Sequence, residues 1–146
     1  MKKILVSAIL LAAAVTAGCG SAAYKDGTYT AQSSLYESLE EEGDEGGEGY
    51  GVVTITIKDN VITDCEFTTY MPDGTVKDEN YGKQNGEIAN QDYYNKAQRA
   101  VKGSQNYAEQ LAAKGDPKEV DAITGATISY NEFQEAVDLA LEQAED

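Results

Sequence analysis

Between residues 50 and 70 the chain alternates. Val53, Ile55 and Ile57 are separated by Thr54 and Thr56, and after Asp59-Asn60 a second run carries Ile62, Cys65, Phe67, Thr68 and Thr69. Alternation with period two sends apolar side chains to one face of a strand and hydroxyls to the other. Two such runs around Asp-Asn predict a hairpin, hence an antiparallel sheet with one covered face. Upstream, Lys25-Asp26-Gly27 is a turn leading into Thr28-Tyr29-Thr30-Ala31, the start of another strand. Met71-Pro72-Asp73-Gly74 closes the hairpin's second strand with a turn. Residues 75–81 read either as a short strand or as loop, and residues 80–87 have the composition of a loop.

The period then lengthens. From about 91 to 114, Tyr94, Ala97, Val101, Ala108, Leu111 and Ala112 recur at helical spacing, with Gly103 a place where the helix could bend or split. Gly115-Asp116-Pro117 stops it. Near the end, Phe133, Ala136, Val137, Ala140, Leu141 and Ala144 follow the i, i+3, i+4, i+7 rule, which predicts a last helix with one buried face. Ser129-Tyr130-Asn131-Glu132 in front of it fits a capping box, with Ser129 as N-cap and Glu132 three residues on. The pattern amounts to an α+β fold: a small antiparallel, half-barrel-like sheet packed with two or three helices, in one unit without internal repeats.

The first residues belong to a different class. Lys2 and Lys3 precede an apolar run from Ile4 to Val15 and then small residues, so residues 1–18 read as a secretory leader. Val15-Thr16-Ala17-Gly18-Cys19 resembles a bacterial lipobox, which implies cleavage before Cys19 and lipid attachment there. The alternative is an uncleaved signal anchor. Both place the domain, residues 24–146 behind a tether at 19–23, outside the cytoplasm and on a membrane, and a lipid would hold it more loosely than a spanning helix. With Cys19 consumed, Cys65 is alone in an apolar strand, so no disulfide framework exists, and a buried small hydrophobe is the better reading than a redox thiol.

Charge and composition narrow the function. The formal charge is −15, and loss of Lys2 and Lys3 with the leader takes it to −17. Nucleic acid and bare anionic lipid are poor partners for such a chain. Histidine is absent, which removes the commonest metal ligand and general base. Residues 37–49 form an acidic, glycine-rich insert that cannot bury a core and reads as a solvated loop; the ordered carboxylate spacing of a calcium loop is missing.

The chemistry concentrates just before the last helix, in Asp121-Ala122-Ile123-Thr124-Gly125-Ala126-Thr127-Ile128-Ser129. A tight turn that feeds a helix N-terminus offers free N–H groups and the positive end of the dipole to an anion, with Thr124 and Thr127 supplying hydroxyls. This Asp-x-x-Thr-Gly-Ala-Thr stretch resembles the flavinylation motif of FMN-binding domains. These occur in a sodium-pumping quinone reductase subunit, in related electron-transport complexes and in extracellular electron-transfer lipoproteins. Tyr24-x-Asp26-Gly27-x-Tyr29 is similar to the way such domains open.

The resemblance implies that a magnesium-dependent flavin transferase, with FAD as donor, esterifies FMN to Thr127, and that Asp121, Thr124, Gly125, Ala126 and Ser129 complete the cofactor-binding set. Asp121 would fix the turn by accepting N–H bonds or assist the modification. Tyr24, Tyr29, Tyr50 and Tyr70 are possible neighbours of the flavin ring. Membrane redox proteins or a quinone oxidoreductase would be the electron partners. No nucleophile–base pair or nicotinamide fingerprint is visible, so an electron carrier stands ahead of an exported flavin-dependent reductase, and ahead of a scaffold or solute-binding lipoprotein without flavin.

Overall fold

The hairpin forms where its turn residues allow it. Asp59 and Asn60 both take positive φ (52° and 65°), the paired left-handed conformation that matches strand twist in a two-residue turn. In this computed structural model, which describes residues 23–37 and 48–145, the turn joins β2 (Tyr50–Lys58) to β3 (Val61–Tyr70). β1 (Gly27–Gln32) pairs antiparallel on the other side of β2, giving an open three-stranded sheet in the order β1-β2-β3. Val53, Ile55 and Ile57 are buried, as the alternation requires, while threonines occupy the opposite face. There Thr30 and Thr54 pair through their hydroxyls at 2.9 Å, and Thr28 and Thr56 at 3.3 Å.

Two helices cover the apolar face. α1 (Gln91–Lys114) lies mainly on β3 and α2 (Thr127–Ala144) on β1 and β2. Asn90 caps α1 by accepting the Tyr93 N–H, and Gly115 ends it in the left-handed conformation (φ 74°) with its N–H on the Leu111 carbonyl. Gly103 does not bend or split it; α1 runs unbroken. Phe133, Val137 and Ala140 of α2 have no exposed surface and meet Tyr107 and Leu111 of α1 over the sheet, with Phe67 edge-on to Phe133 at 5.1 Å. Burial of side chains of this size supplies about 1.5–3 kcal/mol each, which is what holds the helices down.

The α+β expectation is met, with a sheet that stays open and two long helices joined by a single 3-10 turn at Pro117–Glu119. Residues 75–77 resolve as one isolated bridge, Tyr70 to Val76, rather than a strand. The two ends of the described part of the chain come together, since Tyr24 bridges Glu145 and the Lys25 N–H donates to the Ala144 carbonyl at 2.8 Å. Tyr36 and Gly49 exchange backbone bonds at the neck of the acidic insert. The insert from 38 to 47, the 1–18 leader and Cys19 lie outside the described residues. No helix among the described residues is long and apolar enough to cross a membrane.

Candidate functional site: the turn into the last helix

The start of α2 differs from the capping box read in the sequence. The helix begins at Thr127 with Ala126 as N-cap (φ −133°, ψ 30°) and no side-chain cap bond. Ser129 is therefore already the third helical residue, 7 % exposed, and Glu132 is 4 % exposed with neither carboxylate oxygen hydrogen-bonded among the described residues. The cause lies one turn earlier. Ala126 N–H donates to the Ile123 carbonyl (3.0 Å) and Tyr130 N–H to the Ala126 carbonyl (2.9 Å), so the turn passes into the helix without a spacer. Gly125 makes this possible: its φ of +85° sits at the third turn position, where a side chain would be strained.

What holds the turn comes from α1. The Gln110 side chain clamps Asp121 by its backbone, accepting its N–H at 2.9 Å and donating to its carbonyl at 3.2 Å. Tyr107 Oη accepts the Ile123 N–H at 2.9 Å and donates to the Ala126 carbonyl at 3.0 Å. The Asp121 carboxylate is exposed and faces Lys114 Nζ at 3.6 Å, so part of its negative charge is offset. Between these anchors Thr124 and Thr127 are exposed, and Ala126 is buried against α1. A Cβ on Gly103 would stand only 2.5 Å from the Ala126 Cβ, which is why α1 carries glycine there.

One cation joins the motif. Arg99, the only arginine in the sequence, lies against Gly125; a Cβ on Gly125 would meet its Cδ at 2.7 Å and its Nη1 at 3.5 Å. Lys96, Arg99 and Lys102 recur every three residues along α1, all exposed, in a chain of formal charge −15. Beyond Gly103 a cleft of about 340 Å³ opens between residues 67–69 of β3, the 76–79 segment and residues 98–105 of α1. Its walls combine Phe67 and Val101 with Thr68, Thr69, Ser104 and Lys77. None of the four tyrosines considered as ring neighbours lines it; Tyr50 and Tyr70 stack on one another at 5.3 Å, and Tyr29 Oη donates to the Lys25 carbonyl.

These features fit an FMN phosphate and ring. An exposed hydroxyl sits at an uncapped helix start, a guanidinium lies against the adjoining Gly125, and a mixed polar and apolar cleft opens along α1. Asp121, Thr124, Gly125, Ala126 and Thr127 come together in one turn, whereas Ser129 points into the protein. Arg99, Tyr107 and Gln110 went unread in the sequence, and Gly103 was read there only as a place where the helix could bend or split, not as the contact point for Ala126. Only Arg99 and Gly103 carried a signal, one as the sole arginine and the other as a glycine inside a helix. Cys65 is buried, and burial with Asp64 and Glu66 nearby pushes its thiol up to about 12, so no thiolate is available at neutral pH. Among the described residues no cluster of acids and cysteine could hold a metal ion.

Among solved structures the fold resembles that of a Clostridium perfringens protein determined by crystallography, at 21% identity and a TM-score of 0.56, over 83% of this chain and 88% of that one. A Clostridium thermocellum protein solved by NMR is also similar, at 23% identity and a TM-score of 0.43, over 84% and 93% of the two chains. No curated protein sequence matches. Residues 46–142 match the FMN-binding domain family, a span that contains the turn, the cleft, α1 and all but the last two residues of α2. The chain belongs to the FMN-binding domain family and is a flavin-binding protein.

Proposed function

We propose that this protein carries FMN covalently, as a phosphoester on Thr127, and relays electrons as a lipoprotein held at Cys19 on the outer face of a membrane. The observation that supports the attachment point is the position of Thr127: exposed, first in α2, with no side-chain cap, next to the Gly125 turn and Arg99. Side-chain oxygens usually occupy such helix starts, and here the place is open to a phosphate. Arg99 offsets the phosphate charge, and Gln110 and Tyr107 keep the turn in the shape a flavin transferase with FAD and magnesium would have to meet. The cleft residues bind the ring and shield it from water. FMN supplies the redox chemistry, and the protein sets its exposure and potential.

Covalent attachment suits an exported carrier, because a linked cofactor cannot be diluted away. Electron partners would be membrane redox proteins or a quinone oxidoreductase on one side and extracellular acceptors or exported reductases on the other. The test is intact-mass measurement after co-expression with a flavin transferase. An FMN-sized mass increase is expected in the wild type and none in Thr127→Ala, while Thr124→Ala retains it. An adduct that survives Thr127→Ala would move the acceptor; a wild-type chain that never gains mass would favour a scaffold without flavin.

A further inference from the structure

The attachment site gives no role to Ile128, Asn131, Glu132 and Glu135, which the helical period sets on one side of α2. This stripe and the Ser34–Tyr36 segment after β1 wall a recess of about 140 Å³. Ser34 ties the two walls together, its N–H donating to Glu135 Oε1 at 3.1 Å and its hydroxyl to the same oxygen. Glu132 has no such tie. It is 4 % exposed, and among the described residues neither of its carboxylate oxygens accepts a hydrogen bond. Its stem passes β2 at Gly51, where a Cβ would stand 3.4 Å from the Glu132 Cβ, so that strand position supplies no side chain to meet it. A buried carboxyl in this condition is costly and is normally satisfied by a donor.

The donor does not come from the described chain. None of its lysines lines the recess, nor does Arg99, and Lys77 lines the β3–α1 cleft instead. Residues 38–47, which follow Glu37 in the chain, contain no lysine or arginine. The recess itself says what kind of donor it takes. At about 140 Å³ it lies below the roughly 300–1,000 Å³ of a small-molecule site, so it receives the end of a side chain rather than a whole cofactor or metabolite. Leu35, 48 % exposed, and the half-buried Ile128 give it apolar walls, and Glu132 and Glu135 give it negative charge. Apolar walls beside a buried carboxylate match a lysine, whose stem packs on apolar surface and whose ammonium carries only donors. The charge of the whole chain, −15, favours the same class of partner, a basic one.

We propose that this recess is the docking point for a basic partner protein, one of whose lysine side chains enters beside Leu35 and Ile128 and sets its ammonium on the Glu132 carboxylate. Glu135, exposed and held by Ser34, adds a second negative charge that steers the lysine in. A buried charge pair usually gives back its Coulomb gain as desolvation. Here Glu132 is already out of water in the free protein, so that share of the cost is met by folding and not by binding. The surrounding apolar contacts exclude water from the pair, the arrangement that concentrates binding energy in a few residues. Ile128 directly follows Thr127, which places a partner seated here next to the turn. That this partner exchanges electrons with FMN rests on the flavin reading above; the lysine contact does not.

A capped tripeptide with a central lysine tests the contact on the full flavin-free chain, read by the methyl NMR signals of Leu35 and Ile128. The pH is held above the value of about 7 to which burial pushes Glu132, so that the acid is ionised. The lysine peptide is expected to shift both sets of methyls saturably, and the same peptide with norleucine in place of lysine to shift neither. In Glu132→Gln the lysine peptide should bind roughly tenfold or more weakly, because a charged acceptor is lost. Glu142→Gln, an exposed change elsewhere on α2, should leave binding as in wild type. No saturable shift, equal shifts from the norleucine peptide, or equal affinity in Glu132→Gln overturns the contact. Tighter binding of n-butylammonium than of the lysine peptide overturns protein docking in favour of a free amine. The comparison of the two peptides needs only the wild type, so it decides the matter if Glu132→Gln does not fold. Because no flavin is present, failure of FMN to attach would sink the attachment reading and leave this result standing, and failure of the lysine contact would leave the Thr127 mass test standing.

Discussion

A single phenol oxygen ties the motif to the helix across from it. Tyr107 Oη bonds both Ile123 and Ala126 from a side chain with no exposed surface. In Tyr107→Phe the ring still packs on Phe133, but the Ile123 N–H is left without its acceptor. The expected loss is about 1–3 kcal/mol in urea unfolding, with faster amide exchange at Ile123 and Ala126; unchanged exchange there would deny the oxygen its anchoring role. Glu132 makes a second residue-scale prediction. Its folded value of about 7 lies above the ordinary 4.5 because of burial, so the folded chain holds that proton more tightly. Its contribution to stability is complete below pH 4.5 and is lost as pH rises to 7, at about 1.4 kcal/mol per pH unit, on the order of 3 kcal/mol in all. Wild-type stability should fall more steeply across that window than Glu132→Gln, and parallel curves would contradict the burial argument.

At the scale of elements, the site is a product of how closely α1 and α2 approach. Gly103 and Ala126 touch where any larger pair would collide, since a Cβ on Gly103 falls 2.5 Å from that of Ala126. Helix propensity alone favours alanine over glycine by about 1 kcal/mol. Overpacking at this contact costs about 1–3 kcal/mol and should win. Gly103→Ala is therefore expected to lower the urea midpoint and to disturb the turn, with recovery of stability in the Gly103→Ala, Ala126→Gly double variant. A stabilised single variant would mean that the helices separate freely. The helix spans themselves were readable, because buried positions such as Phe133, Ala136, Val137 and Ala140 repeat with the helical period. The start of α2 was not. The Ser-x-x-Glu spacing is a local signal, and contacts of Ala126 with α1 moved the N-cap three residues ahead, from Ser129 to Ala126.

For the molecule as a whole, charge is the dominant surface feature. With 26 acidic and 11 basic residues, the folded chain repels itself. Raising the salt concentration from about 10 mM to 150 mM shortens the screening length from about 30 Å to 8 Å and should raise the thermal midpoint by relieving that repulsion. A midpoint that falls with salt would show that attractive pairs such as Lys114–Asp121 outweigh it. Against this background Lys96, Arg99 and Lys102 stand out as a short basic run along α1, with Arg99 against the Gly125 turn.

By itself the sequence determined the strands, the helices and the Asp59-Asn60 hairpin, because periodicity and turn chemistry act between residues a few positions apart. It also marked out the turn from Asp121 to Thr127, whose glycine is free to take the positive φ seen in the fold. Only the tertiary structure decided which residues serve that turn. Tyr107 and Ile123 are 16 residues apart, and Asp121 and Gln110 are 11 apart. Nothing in local spacing encodes such pairs, because what joins them is the packing of two helices and a sheet around one core.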